Sequence, residues 1–268
     1  GAIEGASLEA NKGAYSYAWM IIFAVIAAIM VLIGLYHIRM LPSNQIPSTT
    51  KKTTSEVGRE LVAVIANFFT KKHIFYYICF IILYRLAEGF IMKIAPLFLR
   101  ASREVGGLGL SLKEIGTLNG VFGSAAFVLG SLLAGIYVSK FGLKRTLFTL
   151  CCIFNLPFLA YTFLAVTQPT NVYLIGTCIT MEYFGYGFGF VGLTLFMMQQ
   201  IAPGKHQMSH YAFASGIMNL GVMLPGMVSG YFSDLLGYRN FFIYVLIATI
   251  PAFLITYFIP FTYDDSKK

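Results

Sequence analysis

Charge is what this chain has least of. Only 11% of its 268 residues are Asp, Glu, Lys or Arg, and 57% are hydrophobic, where soluble domains carry about 25% charged residues. So few charges cannot clothe a water-soluble surface, and apolar runs of membrane-spanning length recur along the chain. Cysteine is scarce as well. Cys79, Cys151, Cys152 and Cys178 all fall inside apolar runs without CxxC or Cys/His spacing, so they read as small hydrophobes rather than metal or redox ligands. With 4 histidines there is no Ser-His-Asp or Cys-His grouping, and His210 alone does not furnish a membrane-embedded transferase with its catalytic set. Gly185-x-Gly187 lies in mid-run with no strand before it, which excludes a nucleotide fingerprint. The net charge of +8 is not gathered into any nucleic-acid-reading motif. An enzyme is not expected, nor a cofactor, a metal or a nucleic-acid partner.

What remains is helix for a bilayer. The apolar runs predict an all-α polytopic membrane protein with seven spans, at about 15–36, 74–99, 111–138, 146–166, 172–198, 209–232 and 240–261. Tyr15, Tyr17 and Trp19 suit an interfacial belt at the first entry. Residues 1–14 are polar and expected to be short of structure. Pro42 to about Ser55 reads as a flexible linker. Residues 55–70 form an amphipathic segment with Val57, Leu61, Ile65 and Phe68 on one face, suited to the membrane surface. Ser111-x-x-Glu114 is a capping box opening the third span. The expected division is 1–41, a linker with interfacial helix at 42–72, and a six-helix bundle at 73–268.

Basic residues orient the spans. Lys12, Arg100, Arg103, Lys113 and Arg239 fall on one side. Arg39, Lys51, Lys52, Arg59, Lys71, Lys72, Lys140, Lys144, Arg145, Lys205, Lys267 and Lys268 fall on the other. The richer side is expected to be cytoplasmic, and with it the C-terminus.

Two junctions match when the chain is shifted by about 95 residues. Gly135-x-x-x-Ser139-x-x-Gly142-x-Lys144 lies over Gly230-x-x-x-Asp234-x-x-Gly237-x-Arg239. Spans two to four and five to seven therefore read as two copies of a three-helix unit. An odd number of helices turns the copies to opposite sides, the inverted-repeat plan of many secondary transporters.

The junction Gly135…Ser139…Gly142…Lys144-Arg145 resembles the cytoplasmic loop motif of the major facilitator superfamily. That motif usually carries Asp where this chain has Ser139; the Asp stands instead in the other copy, as Asp234. The resemblance implies two six-helix halves joined by a cytoplasmic linker. This chain would then be a fragment holding the last helix of the first half, the linker and the whole second half, whose partner is the missing first half. Within the superfamily it is similar to the AmpG-type muropeptide permeases and their acetyl-coenzyme-A transporter relatives. Leu83-Tyr84-Arg85-Leu86-Ala87-Glu88, Leu110-Ser-Leu-Lys-Glu114-Ile-Gly116, Glu182 with Gly185, Gly187 and Gly189, and Ser209-His210-Tyr211-Ala212-Phe-Ala-Ser215 carry the likeness. Family members often have Lys and Asp in place of Arg85 and Glu88, so charge type is kept. It implies proton-driven import of cell-wall sugar-peptides across the inner membrane, with another sugar, peptide or drug as the alternative cargo.

The candidate pathway residues are the polar ones that the apolar runs can least accommodate. A charge at the bilayer centre costs about 2.5–3.5 kcal/mol, yet Arg85 and Glu88 sit mid-run, three residues apart on one helix face. Arg85 could bind an anionic group and Glu88 take a proton, or the two could form a closed pair that holds helices in register. Gly89, Met92 and Pro96 continue that face, with Lys93 to its side as a pathway residue or an interfacial one. Glu182, mid-way along the fifth span, is a proton carrier or a structural carboxylate, with Tyr186 one turn on. Asn119 and Asn219 line a pathway or join helices. Tyr84, Tyr183 and Tyr186 could offer faces to a sugar, and His210 could sense protons or rest at the interface. Gly116-x-x-x-Gly120, Gly185-x-x-x-Gly189 and Gly226-x-x-x-Gly230 are expected to let helices approach closely.

Overall fold

A computed structural model describes the backbone of residues 2–40 and 53–263, with side chains from residue 16 onward. Linker residues 42–52 and the C-terminal Lys267 and Lys268 lie outside the described residues. Those described are helical, without a strand, and the chain divides into two compact units, 1–53 and 54–268.

The described part of the first unit is helix α1 (Ala2–Met40). Residues 2–14, expected to lack structure, continue it, because the Ala, Leu, Glu and Lys among them are good helix formers. From Ser16 to Met40 its mean hydropathy is 2.8 over 25 residues. At 1.5 Å per residue that is roughly 37 Å, enough for a hydrocarbon core of about 30 Å.

The second unit begins with the amphipathic α2 (Thr54–Phe69). It buries Val64 and Phe68, while Val57, Leu61 and Ile65 of the expected face stay exposed. Phe68 and Val64 lie against His210, whose Nε2 is 3.4 Å from the Val64 carbonyl oxygen, and that contact selects which part of the apolar stripe is covered. The expected second span is two helices, α3 (Ile74–Tyr84) and α4 (Leu86–Arg100), broken at Arg85. The capping box at Ser111 is present in full and opens α5 (Leu112–Thr117). A π-helical segment, Leu118–Gly123, leads into α6 (Ser124–Phe141). Then come α7 (Leu143–Asn155) and α8 (Phe158–Thr167), parted at Leu156-Pro157, and the 25-residue α9 (Val172–Phe196). A second π-helical turn, Met197–Ile201, precedes α10 (Gln207–Ala248) and α11 (Ile250–Phe258).

Helix α10 is not straight. At Gly237 the backbone takes φ 69°, ψ 160°, a conformation open to glycine. Phe232 and Tyr244, on either side, stack with ring centroids 5.3 Å apart. Twelve residues of straight helix would part them by about 18 Å, so the chain doubles back there. Gly142 does the same work between α6 and α7 with φ 79°, ψ 148°.

Among the described residues, five stretches are long and apolar enough to cross a membrane: Ser16–Met40, Ile74–Arg100, Leu112–Phe141, Leu143–Thr167 and Gln207–Phe258. The last contains the reversal at Gly237. Helix α9 has the length, but its glycines, tyrosines and Glu182 dilute its hydropathy.

Glycines set the closest approaches. A side chain on Gly187 would run into the Phe127 backbone, and one on Gly185, Gly189 or Gly192 into α7, at Ile153, Phe154 and Leu150. Gly226 similarly faces the Gly89 carbonyl oxygen at 3.4 Å from the place of a Cβ. Gly116, Gly120 and Gly230, expected to act likewise, have open space around them within this unit, so no close approach is made there.

The unit has two distinct ends. At one, Arg103 donates to the carbonyl oxygens of Gln168 (2.8 Å) and Pro169 (2.9 Å), and Tyr238 lies over Phe98. At the other, Lys71 Nζ donates to the carbonyl oxygens of Ile201 and Pro203, burial lowering its basicity below that of an ordinary lysine. Gln200 there clasps the chain's last described residues: its Oε1 accepts from the amides of Thr262 (2.8 Å) and Tyr263 (3.1 Å), and its Nε2 donates to the Tyr263 carbonyl oxygen (2.7 Å).

Candidate functional site

The break between α3 and α4 makes the site. Arg85 leaves helical geometry (φ −104°, ψ 7°), and α4 starts behind it with Glu88 in its first turn. The guanidinium reaches forward over that turn and grips both carboxylate oxygens: Nε donates to Oε2 at 2.6 Å and Nη2 donates to Oε1. Such a fork-on-fork pair is the strongest geometry open to two side chains of opposite charge. Both are buried, at 4% and 6% exposure, so each charge has its counter-charge where water cannot supply one. The guanidinium carbon also lies 5.4 Å from the ring centre of Phe190 on α9, a cation–π contact.

Beside the pair lies a cavity of about 200 Å³. Glu88 forms part of its wall, and Met92 and Pro96 continue it along α4. Helix α9 contributes Glu182, Tyr183 and Tyr186, α8 contributes Tyr161, and the π-helical segment contributes Asn119. Seven of the residues singled out in the sequence, Glu88, Met92, Pro96, Asn119, Glu182, Tyr183 and Tyr186, thus meet in one space, with Arg85 directly behind. Their polar atoms are not equally satisfied. Glu88 has Arg85. Glu182 is half-buried and has no ion-pair partner among the described residues. Asn119 Oδ1 is buried without a hydrogen-bond partner. The lining therefore holds one neutralised ion pair, one uncompensated carboxylate, one orphan acceptor and three phenol rings. Among the described residues no three of His, Cys, Asp and Glu gather as metal ligands.

Other singled-out residues lie elsewhere. Gly89 meets Val222 and Pro225 of α10 rather than the cavity, and Lys93 is exposed with its stem along Gly226. Asn219 is exposed on α10. Gly135, Ser139, Gly142 and Arg145 line one groove with Gln199, and Lys144 is exposed beside it. Tyr84 is fully buried, its hydroxyl donating to the Gly189 carbonyl oxygen at 3.0 Å, so it is a helix-joining residue with no face for a ligand. His210 is fully buried as well, beneath α2 against Val64 and Phe68. Two residues of the site escaped sequence reasoning, Tyr161 and Phe190. Each is one aromatic among 25 Phe and 17 Tyr, and only the break at Pro157 and the turn of α9 aim them inward.

A family model for the Major Facilitator Superfamily matches residues 12–204. The chain is 23% identical over 209 residues to the anhydromuropeptide permease of Escherichia coli (strain K12), covering 78% of this chain and 41% of that protein. It is 25% identical over 238 residues to a Rickettsia bellii (strain RML369-C) protein named as transporter AmpG 1, covering 87% and 56%. With a Rickettsia prowazekii (strain Madrid E) protein named as transporter AmpG 2 it shares 27% over 204 residues, 74% of this chain and 47% of that one. The chain spans about half the length of these curated relatives. Apolar helices, a buried intramembrane ion pair and the family match over most of the chain agree: this chain belongs to the Major Facilitator Superfamily of membrane transporters.

Proposed function

We propose that the chain is part of a proton-coupled importer of cell-wall muropeptides in the inner membrane, in which α1 closes a first six-helix half and residues 73–268 form the second. The observation that carries the coupling is the cavity itself. Carboxylates are expensive inside a bilayer and mark ion or proton pathways, and here Glu88 and Glu182 share one small space with Arg85 behind. The cargo rests on the names of the relatives. Phenol rings at Tyr161, Tyr183 and Tyr186 suit the apolar face of a sugar ring.

Seven crossings and an inverted three-plus-three repeat are part of this reading. Three observations favour them: α9 is long enough to span, α10 reverses at Gly237, and Gly142 and Gly237 share one rare backbone geometry at the separation of the two sequence copies. The end that holds Lys71, Lys140, Arg145 and Lys205 is then cytoplasmic, with the C-terminus. The groove at Gly135, Ser139, Gly142, Lys144 and Arg145 becomes the gating loop. The exposed Lys93 and Asn219 fall to the surface that the first half would cover, so transport requires both halves.

The test uses the full-length parent gene in cells lacking their own muropeptide permease. Uptake of labelled anhydro-muropeptide that collapses with a protonophore is the expected result. A well-expressed protein that takes up none removes the muropeptide assignment, and uptake indifferent to the protonophore removes the coupling.

A further inference from the structure

Two carboxylates face the cavity, and their surroundings differ in kind. Glu88 has both oxygens occupied by one guanidinium. A proton arriving there must displace a bidentate charge-assisted contact and leave Arg85 buried without its counter-ion, which is among the costliest changes a protein interior can undergo. Glu182 has no such partner. It lies on α9, and Asn119 of the same cavity, whose Oδ1 is buried without a hydrogen-bond partner, comes from the π-helical segment. A carboxylate and an amide oxygen are both acceptors only. Those two oxygens bond each other only once a hydrogen is placed between them: a proton on Glu182 provides it, whereas an unprotonated Glu182 calls for the amide to turn and donate from Nδ2.

We propose that Glu182 is the coupling carboxylate of this transporter, that Asn119 is the positioning residue whose Oδ1 accepts the O–H of its protonated form, and that Arg85–Glu88 stays closed throughout. The proposal rests on the transporter reading and names which side chain carries the proton. A proton from the outer side adds to a Glu182 oxygen, the new O–H donates to Asn119, and the same proton leaves to the inner side, restoring the carboxylate. The local structure suits the task. Residues 118–123 are π-helical, a distortion that recurs at functional sites, and Asn119 within them lines the cavity. The sequence copies point the same way. A shift of 95 places Glu88 over Tyr183, next to Glu182, and Arg85 over Thr180, so only the first carboxylate has a built-in cation. The other titratable groups facing Glu182 are Glu88, Tyr161, Tyr183 and Tyr186.

The experiment is infrared difference spectroscopy of the purified full-length protein in liposomes, titrated with acid in the absence of any solute. A protonated-carboxyl C=O band is expected in wild type, absent in Glu182→Gln, displaced but present in Glu182→Asp and retained in Glu88→Asp. In Asn119→Ala the band is expected to persist at a shifted frequency, since its hydrogen bond is gone, a signature that a merely structural asparagine would not give. A band that survives in Glu182→Gln, or is lost in Glu88→Asp alone, overturns the proposal, as does an unshifted band in Asn119→Ala. A second arm uses the labelled anhydro-muropeptide. Glu182→Gln is expected to lose net uptake by about tenfold or more while solute exchange changes far less; equal loss of both contradicts the assignment. Because the infrared arm needs no solute, a wrong cargo and a wrong proton carrier give different results.

Discussion

Arg85 and Glu88 illustrate how a buried ion pair acts on a single-residue scale. Its formation contributes little net stability, because both partners leave water, but removing one partner strands the other. Glu88→Gln should therefore destabilise the protein by about 3–5 kcal/mol, whereas the double replacement Arg85→Met with Glu88→Leu should recover most of that loss. Thermal unfolding of the full-length protein in detergent checks this; a double variant no better than the single one would mean that the pair itself holds the helices in place. Gln200 gives the opposite case, a neutral side chain with three hydrogen bonds to the backbone of residues 262 and 263. At about 0.5–1.5 kcal/mol for each bond, Gln200→Leu should cost about 2–4 kcal/mol and expose the C-terminal segment to protease first. The charged residues of the site were legible in the sequence because a charge in an apolar run has few innocent explanations. Tyr84 was read as a ligand face and is core, and Tyr161 was passed over and lines the cavity. Tyrosine is tolerated in both settings, so composition does not separate them.

At the scale of elements, the sequence announces caps and reversals better than breaks. Ser111 and Glu114 form the capping box that their spacing promised, and Gly142 and Gly237 both end a helix where the repeated motif put them. The break at Arg85 has no Pro or Gly at its own position to signal it; the residue that leaves helical geometry there is the one whose side chain grips Glu88. Glycines divide by environment in a way that spacing alone did not reveal. Gly237 has a positive φ, so Gly237→Ala should cost about 1–3 kcal/mol through backbone strain alone, although open space surrounds it. Gly116 has open space and helical geometry, so Gly116→Ala should leave the stability of the second unit unchanged or slightly raised. Melting temperatures of the two variants side by side settle the contrast. If both fall equally, space rather than φ is the controlling factor.

For the whole molecule, continuous apolar runs of spanning length made a helical membrane protein plain from the start, because a helix satisfies its own backbone in lipid while the strands of a barrel would alternate apolar and polar residues. Its orientation rests on the basic residues. The two ends of the second unit supply a sharp test. Ser139 and Asp234 occupy equivalent positions in the two sequence copies and are both exposed. Ser139 lies by Gly142 and Arg145, in the groove that includes Gln199, while Asp234 precedes the reversal at Gly237, near Tyr238 and Phe98. If the copies are inverted, one position faces each side of the membrane. With the four native cysteines replaced in the full-length protein, Ser139→Cys should resist a membrane-impermeant thiol reagent in intact cells and react in inside-out vesicles. Asp234→Cys should do the reverse. Labelling of both from the same side would break the inverted repeat and the cytoplasmic assignment of the gating loop together. Opposite labelling with the sides exchanged would preserve the repeat, turn the protein over, and oblige the proton on Glu182 to enter from the end now marked by Lys71.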